Sequence, residues 1–200
     1  MQSENDNIMG VTYDKEQDKF IFNFEHDGVD DIVSLTGHGY QMEAFGKCFY
    51  YGYQFQDTVD GSVRSAFIKY VKFPESIQAD SSLTQFIKKA IDDLNSKINL
   101  YDYDLVVMPE SSSKLNQYML RYIYRFNQPK SIKANDLCGE QIDEALCASI
   151  RQQNVLVVDD VTTSGSTLNE ILRTLRILNE DNAITVFSLI GHKDLMADAV

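Results

Sequence analysis

Cysteine, basic residues and long apolar runs are all scarce in this chain of 200 residues, and each shortage removes a class of function. The three cysteines, Cys48, Cys138 and Cys147, are odd in number and contain no Cys-x-x-Cys pair, which argues against a disulfide framework and against a zinc site. Lysine and arginine total 18 against 30 aspartates and glutamates, a formal net charge of −12. A general nucleic-acid binder needs the opposite balance, so nonspecific binding to DNA or RNA is not expected. No apolar run approaches the length that spans a bilayer, and residues 1–7 are polar and acidic, without the charged-then-apolar pattern of a leader. The expectation is a cytoplasmic protein with reduced thiols and no membrane partner.

What is present is enough apolar material for one core. At 44% hydrophobic residues, a chain of this size buries roughly 70% of its unfolded surface. The first part is β-rich: residues 20–24, 31–35 and 49–55 carry aromatic and β-branched residues between Gly, Asp and His punctuation. A short helix is expected over residues 64–73, ended by Pro74, and a longer one where Leu83, Phe86, Ile87, Ala90, Ile91, Leu94 and Ile98 recur at three and four residues behind Ser81 or Ser82. From there strand and helix alternate: strand 105–108, helix 115–126, helix 140–150, strand 154–159, a helix carrying Leu168, Ile171, Leu172, Leu175 and Leu178, and strand 184–190. Such a succession predicts an α/β fold with a mostly parallel twisted sheet flanked by helices, ligands sitting at the carboxyl ends of the strands. The expected division is a small β-rich N-terminal hood over residues 1–75 and an α/β core over residues 76–200.

The most informative stretch is 155–167. A continuous β-branched strand ends in Asp159 and Asp160, followed by Thr163, Ser164, Gly165, Ser166 and Thr167 and then a helix. A helix N-terminus presents unpaired N–H groups and partial positive charge, Gly165 can adopt a positive φ, and the small hydroxyl residues let an anion approach closely. This describes a phosphate cradle. Two carboxylates beside it would repel a phosphate unless the ligand carries hydroxyls or a bound cation for them to engage, as a ribose 5-phosphate does. Asp-Asp at a strand end is also compatible with plain solvated surface or a helix cap. The string Val-Leu-Val-Val-Asp-Asp fits the start of a phospho-receiver domain as well, but too little chain follows Asp160 for the rest of one. A Walker loop is excluded, since no Gly-Lys-Ser/Thr follows.

The thirteen residues Val155-Leu156-Val157-Val158-Asp159-Asp160-Val161-Thr162-Thr163-Ser164-Gly165-Ser166-Thr167 resemble the phosphoribosyl-pyrophosphate signature of type I phosphoribosyltransferases. The resemblance spans about residues 76–195. It implies that Asp159 and Asp160 contact the ribose hydroxyls and the hydration shell of Mg²⁺, while Thr163 to Thr167 hold the 5′-phosphate. In that family the first core strand ends in a pyrophosphate-binding loop, and the matching place holds Glu110, Ser111, Ser112, Ser113 and Lys114. A serine cap for the following helix is the alternative there, and Glu110 departs from what a pyrophosphate site wants. The implied reaction is displacement of pyrophosphate by a nitrogen acceptor, with Asp159, Asp160 and Lys114 at the reacting centre. Members commonly close a mobile loop, for which 127–139 with Lys130 and Lys133 is the candidate by position; the two lysines read equally well as solvated loop charges.

The acceptor is the least legible part. The family's 6-oxopurine enzymes usually carry an aspartate where Thr163 stands, so the implied small-molecule acceptor is a nucleobase other than hypoxanthine or guanine, with His192 and Lys193 either near it or merely solvated. The segments 49–53 and 67–73 are loosely similar to the ComF-like group, which is linked to DNA uptake, although that group's zinc-binding cysteines are missing here. This similarity places Tyr51 and Lys72 near the site and leaves a non-catalytic phosphoribosyl-pyrophosphate-binding module as the alternative to a transferase. Relatives often form homodimers.

Overall fold

A computed structural model describes residues 6–44, 47–56, 58–72, 82–109, 114–124, 130–133, 148, 150, 153–163, 165–178 and 183–191. Strands β1 (Asn7–Asp14), β2 (Lys19–His26), β3 (Val29–Ala44) and β4 (Lys47–Phe55) come first, followed by helices α1 (Gly61–Lys72) and α2 (Ser82–Asn95). Then come β5 (Leu105–Met108), α3 (Lys114–Ile123), β6 (Lys130–Lys133), β7 (Val155–Val161), α4 (Ser166–Leu178) and β8 (Ile184–Gly191). No helix among the described residues is long and apolar enough to cross a membrane.

The eight strands form one sheet in the order β1-β2-β3-β4-β8-β7-β5-β6. The α/β class holds, but the sheet is mixed and not mostly parallel. β1 to β4 pair antiparallel in sequence, whereas β4–β8, β8–β7, β7–β5 and β5–β6 are parallel. The reason lies in the connections. Tight turns can join only antiparallel neighbours, and between β2 and β3 the two turn residues Asp27 and Gly28 take φ of 51° and 77°, the conformation of a two-residue hairpin. The β-rich N-terminal segment, expected as a hood, thereby continues the sheet sideways through β4, which lies parallel to β8.

Alternation along the strands sorts the core onto two faces. On one face, Phe20, Phe22, Phe24, Val33, Leu35, Val106, Leu156 and Val158 pack with residues of α1, α2 and α3. Phe67 of α1 meets Phe22, Phe24 and Phe55 edge-on, with centroids 5.0, 5.5 and 6.0 Å away, contacts worth about 0.5–1.5 kcal/mol each beyond burial. On the other face, Leu105, Val107, Val155, Val157, Ile184 and Val186 pack against Leu168, Ile171, Leu172 and Leu175 of α4 and against Ile150. The middle of the sheet is tight. A Cβ on Gly52 would lie 2.8 Å from the Leu189 carbonyl oxygen and 3.0 Å from Ala90 Cβ, so the absence of a side chain there lets α2 close onto β4. The helix expected over 140–150 lies outside the described residues apart from positions 148 and 150.

Candidate functional site

The sheet brings the carboxyl ends of β5 and β7 to one edge. β5 and β7 are parallel neighbours with Val107 opposite Val157, so the connections that follow Met108 and Val161 leave the same end of the sheet. Lys114 opens α3 and is exposed, while Glu110, Ser111, Ser112 and Ser113 lie outside the described residues. Of the phosphate-loop candidates, Thr163, Ser166 and Thr167 are exposed, Gly165 is half-buried and Ser164 lies outside the described residues. Gly165 has φ 70°, the left-handed conformation expected for it from the sequence, and its carbonyl accepts from Asn169 N at 2.8 Å, the first helical bond of α4. The N–H groups of that first turn are the ones a helix cannot satisfy by itself.

Asp159 and Asp160 are the unusual feature. β7 is buried along its whole length, and Asp159 and Asp160 are only 7% and 0% exposed. Because strand residues alternate, the pair straddles the sheet: Asp160 follows Leu156 and Val158 toward the face covered by α1, and Asp159 follows Val155 and Val157 toward the face covered by α4. Asp160 Oδ1 accepts from Val161 N at 2.6 Å and lies 3.1 Å from Lys72 Nζ. Its other oxygen, Oδ2, is buried with no hydrogen-bond partner among the described residues.

Asp159 is held by neutral donors. Its Oδ1 accepts from Asp160 N at 2.9 Å and its Oδ2 lies 3.2 Å from the Thr162 hydroxyl. Burial, and then the negative charge of Asp160, push its carboxyl up to about 6, against the smaller opposing pull of Lys72 and the hydrogen bonds from Asp160 N and Thr162. Two buried carboxylates next to each other at a strand end, one of them titrating near neutrality, are the kind of stored electrostatic tension found at working sites. Asp160 Oδ2, a hard oxygen without a hydrogen-bond partner among the described residues, is chemically of the kind that Mg²⁺ or its hydration shell accepts.

Sequence reasoning missed Ser188. It stands opposite Asp159 in the β7–β8 ladder, is fully buried, and was legible only as the lone hydroxyl in the second half of an otherwise apolar strand. Tyr51 pairs with Ser188 in the β4–β8 ladder, so its backbone shares a cross-strand row with Asp159. Lys72 is at the site, in contact with Asp160. Lys130 and Lys133, expected on a mobile loop, begin and end the edge strand β6 along β5; a strand forms because β5 otherwise presents an unpaired edge. His192 and Lys193 lie outside the described residues. At the remote end of the sheet, Asp6, His26 and Asp27 bring metal-capable atoms within 4.8 Å of one another, but both imidazole nitrogens face carboxylates, at 2.9 and 3.6 Å, which is an ion-pair arrangement.

Compared with known proteins, the chain matches no family model, and no curated protein matches it; nothing in the comparisons supports the ComF-like similarity. Among solved structures it is similar to the HGPRT-ase from Leishmania tarentolae in complex with GMP, at 16% identity and a TM-score of 0.35. The match covers 53% of this chain and 62% of the other, so the chain spans less than two thirds of that protein's length. A likeness at that level fixes neither family nor activity.

Proposed function

We propose that the carboxyl edge of β5, β7 and β8 binds phosphoribosyl pyrophosphate with Mg²⁺ and that the protein transfers the phosphoribosyl group to a nitrogen acceptor other than a 6-oxopurine. The observation that carries this reading is the conjunction at the end of β7: two buried aspartates, Gly165 five residues after the second of them at positive φ, and then the N-terminus of α4. The amides of that first helical turn, with Thr163, Ser164, Ser166 and Thr167, take the 5′-phosphate. Asp159, on the face of α4, accepts from a ribose hydroxyl, an interaction that favours its ionised form and relieves its burial. Asp160 adds its uncommitted oxygen, reaching Mg²⁺ through water or through the ligand's hydroxyls. When bound, Mg²⁺ supplies neutralisation of pyrophosphate charge. Ser111, Ser112, Ser113 and Lys114 grip the pyrophosphate, with Glu110 of the same loop turned away from it or engaging it through Mg²⁺, and Lys114 stabilises the charge that grows on it as the bond to C1 breaks. The acceptor nitrogen forms its new bond to C1, pyrophosphate leaves with the electron pair, and the acceptor's proton passes to water.

Pyrophosphate release is the test. The full chain is mixed with phosphoribosyl pyrophosphate, Mg²⁺ and a panel of pyrimidine, purine and amine acceptors. Acceptor-dependent release supports transfer. Binding without release for every acceptor replaces the transferase with a non-catalytic sensing module, and no binding removes both.

A further inference from the structure

We infer that Lys72 is a positioning residue for this site, acting on the ligand through Asp160 and thereby making the N-terminal strands part of the binding machinery; the inference rests on the reading of β7 as a phosphoribosyl-pyrophosphate site. Lys72 is the last residue of α1, where a cation is favoured by the partial negative charge of the helix end. The helix is fixed from below by the N-terminal sheet: Val63, Ala66, Phe67 and Val71 are buried, and Phe67 sits among Phe22, Phe24 and Phe55. The place of the Lys72 ammonium is therefore set by β2, β4 and α1.

From there Nζ reaches Asp160 Oδ1 at 3.1 Å, the lysine side chain being 29% exposed and the aspartate 0%. A carboxylate this deep is costly to bury without an opposite charge beside it. The ammonium does more than neutralise it. Together with Val161 N at 2.6 Å it occupies Oδ1, which leaves Oδ2 as the oxygen without a partner among the described residues. The lysine thus acts with Val161 N to fix which oxygen Asp160 offers a ligand, and removing it leaves the carboxylate held by one contact in place of two. A lysine that merely added positive charge to the site would act on the anionic ligand without needing Asp160.

The experiment is a double-mutant cycle on ligand affinity, measured by calorimetry on the full chain with phosphoribosyl pyrophosphate and Mg²⁺. The proteins are wild type, Lys72→Met, Lys72→Gln, Lys72→Arg, Asp160→Asn and the Lys72→Met/Asp160→Asn pair, each checked for native circular dichroism. Lys72→Met and Lys72→Gln should each weaken binding roughly tenfold or more, Lys72→Arg should restore most of it, and the double variant should bind no worse than Asp160→Asn alone. Lys72→Gln keeps the test available if Lys72→Met does not fold. Unchanged affinity in the Met or Gln variant overturns the inference, as does a double variant whose loss is the product of the two single losses. Absence of binding by wild type is a different result: it removes the site reading itself, and the inference with it.

Discussion

The Thr162 hydroxyl lies 2.8 Å from Ser188 Oγ and 3.2 Å from Asp159 Oδ2, so one hydroxyl proton stands between a serine and a buried acid. Ser188 in turn donates to the Ile190 carbonyl at 2.9 Å, which commits its own proton and leaves it an acceptor for Thr162. The single Thr162 proton is therefore shared between Ser188 Oγ and Asp159 Oδ2, and its share toward Asp159 favours the ionised carboxylate. β8 therefore takes part in setting the state of the acid on β7.

Replacing Thr162 with Val keeps the shape and removes the donor. Asp159 should then titrate above the value of about 6 it has in the wild type, where the Thr162 bond pulls it down, and stability should fall by about 1–3 kcal/mol because Oδ2 loses its partner. Ser188→Ala should do the reverse to Asp159, freeing the Thr162 proton for it. Carboxyl carbon NMR titration and urea unfolding read both effects; midpoints that do not separate would contradict the shared-proton arrangement.

Asp159 also links stability to pH. Its folded value near 6 lies above the ordinary 3.8, so the folded state holds the extra proton. The stability this group contributes is fully present below about 3.8 and is lost as pH rises through about 6. Asp159→Asn removes the dependence, and at pH 7.5 it should be the more stable protein by about 2–3 kcal/mol, a margin that closes toward pH 4. Unfolding midpoints of the two proteins across pH 4 to 8 check this. A difference that stays constant with pH would show that Asp159 is not the group responsible.

Gly165→Ala isolates the backbone. Nothing lies within 4 Å of the added Cβ, so no clash interferes, and the whole effect comes from holding an L-residue at φ 70°, about 1–2 kcal/mol. If the turn is the phosphate seat, affinity for phosphoribosyl pyrophosphate should drop as the loop relaxes, with less loss for Gly165→Asn, which tolerates that conformation better. Equal affinity for all three proteins would place the phosphate elsewhere.

Legibility in the sequence followed how local the determining physics is. β5, β7 and β8 are dominated by apolar and β-branched residues and were readable nearly to their ends, as was the turn at Gly165, because strand, acids, glycine and hydroxyls sit in one contiguous stretch. β1 was not read: Asn7–Asp14 is an edge strand with a register shift between Ile8 and Gly10, which breaks the alternation a strand shows in sequence. β6, a four-residue edge strand with Ile132 as its lone apolar residue, carries no signal of its own. The joining of the N-terminal strands to the core through β4 and β8 is a pairing between remote segments, and no local pattern encodes it. Ser188 reaches the site by the same kind of remote pairing. Lys72, which the loose similarity of residues 67–73 had placed near the site, owes its contact with Asp160 to the packing of α1 on the sheet.

The most direct measurement is calorimetric titration of the full chain with phosphoribosyl pyrophosphate, with and without Mg²⁺, for wild type and for Asp159→Asn combined with Asp160→Asn. Saturable binding that needs Mg²⁺ and is lost in a double variant that still folds is the result this account requires. Wild type that fails to bind, or a double variant that binds as tightly, would contradict it.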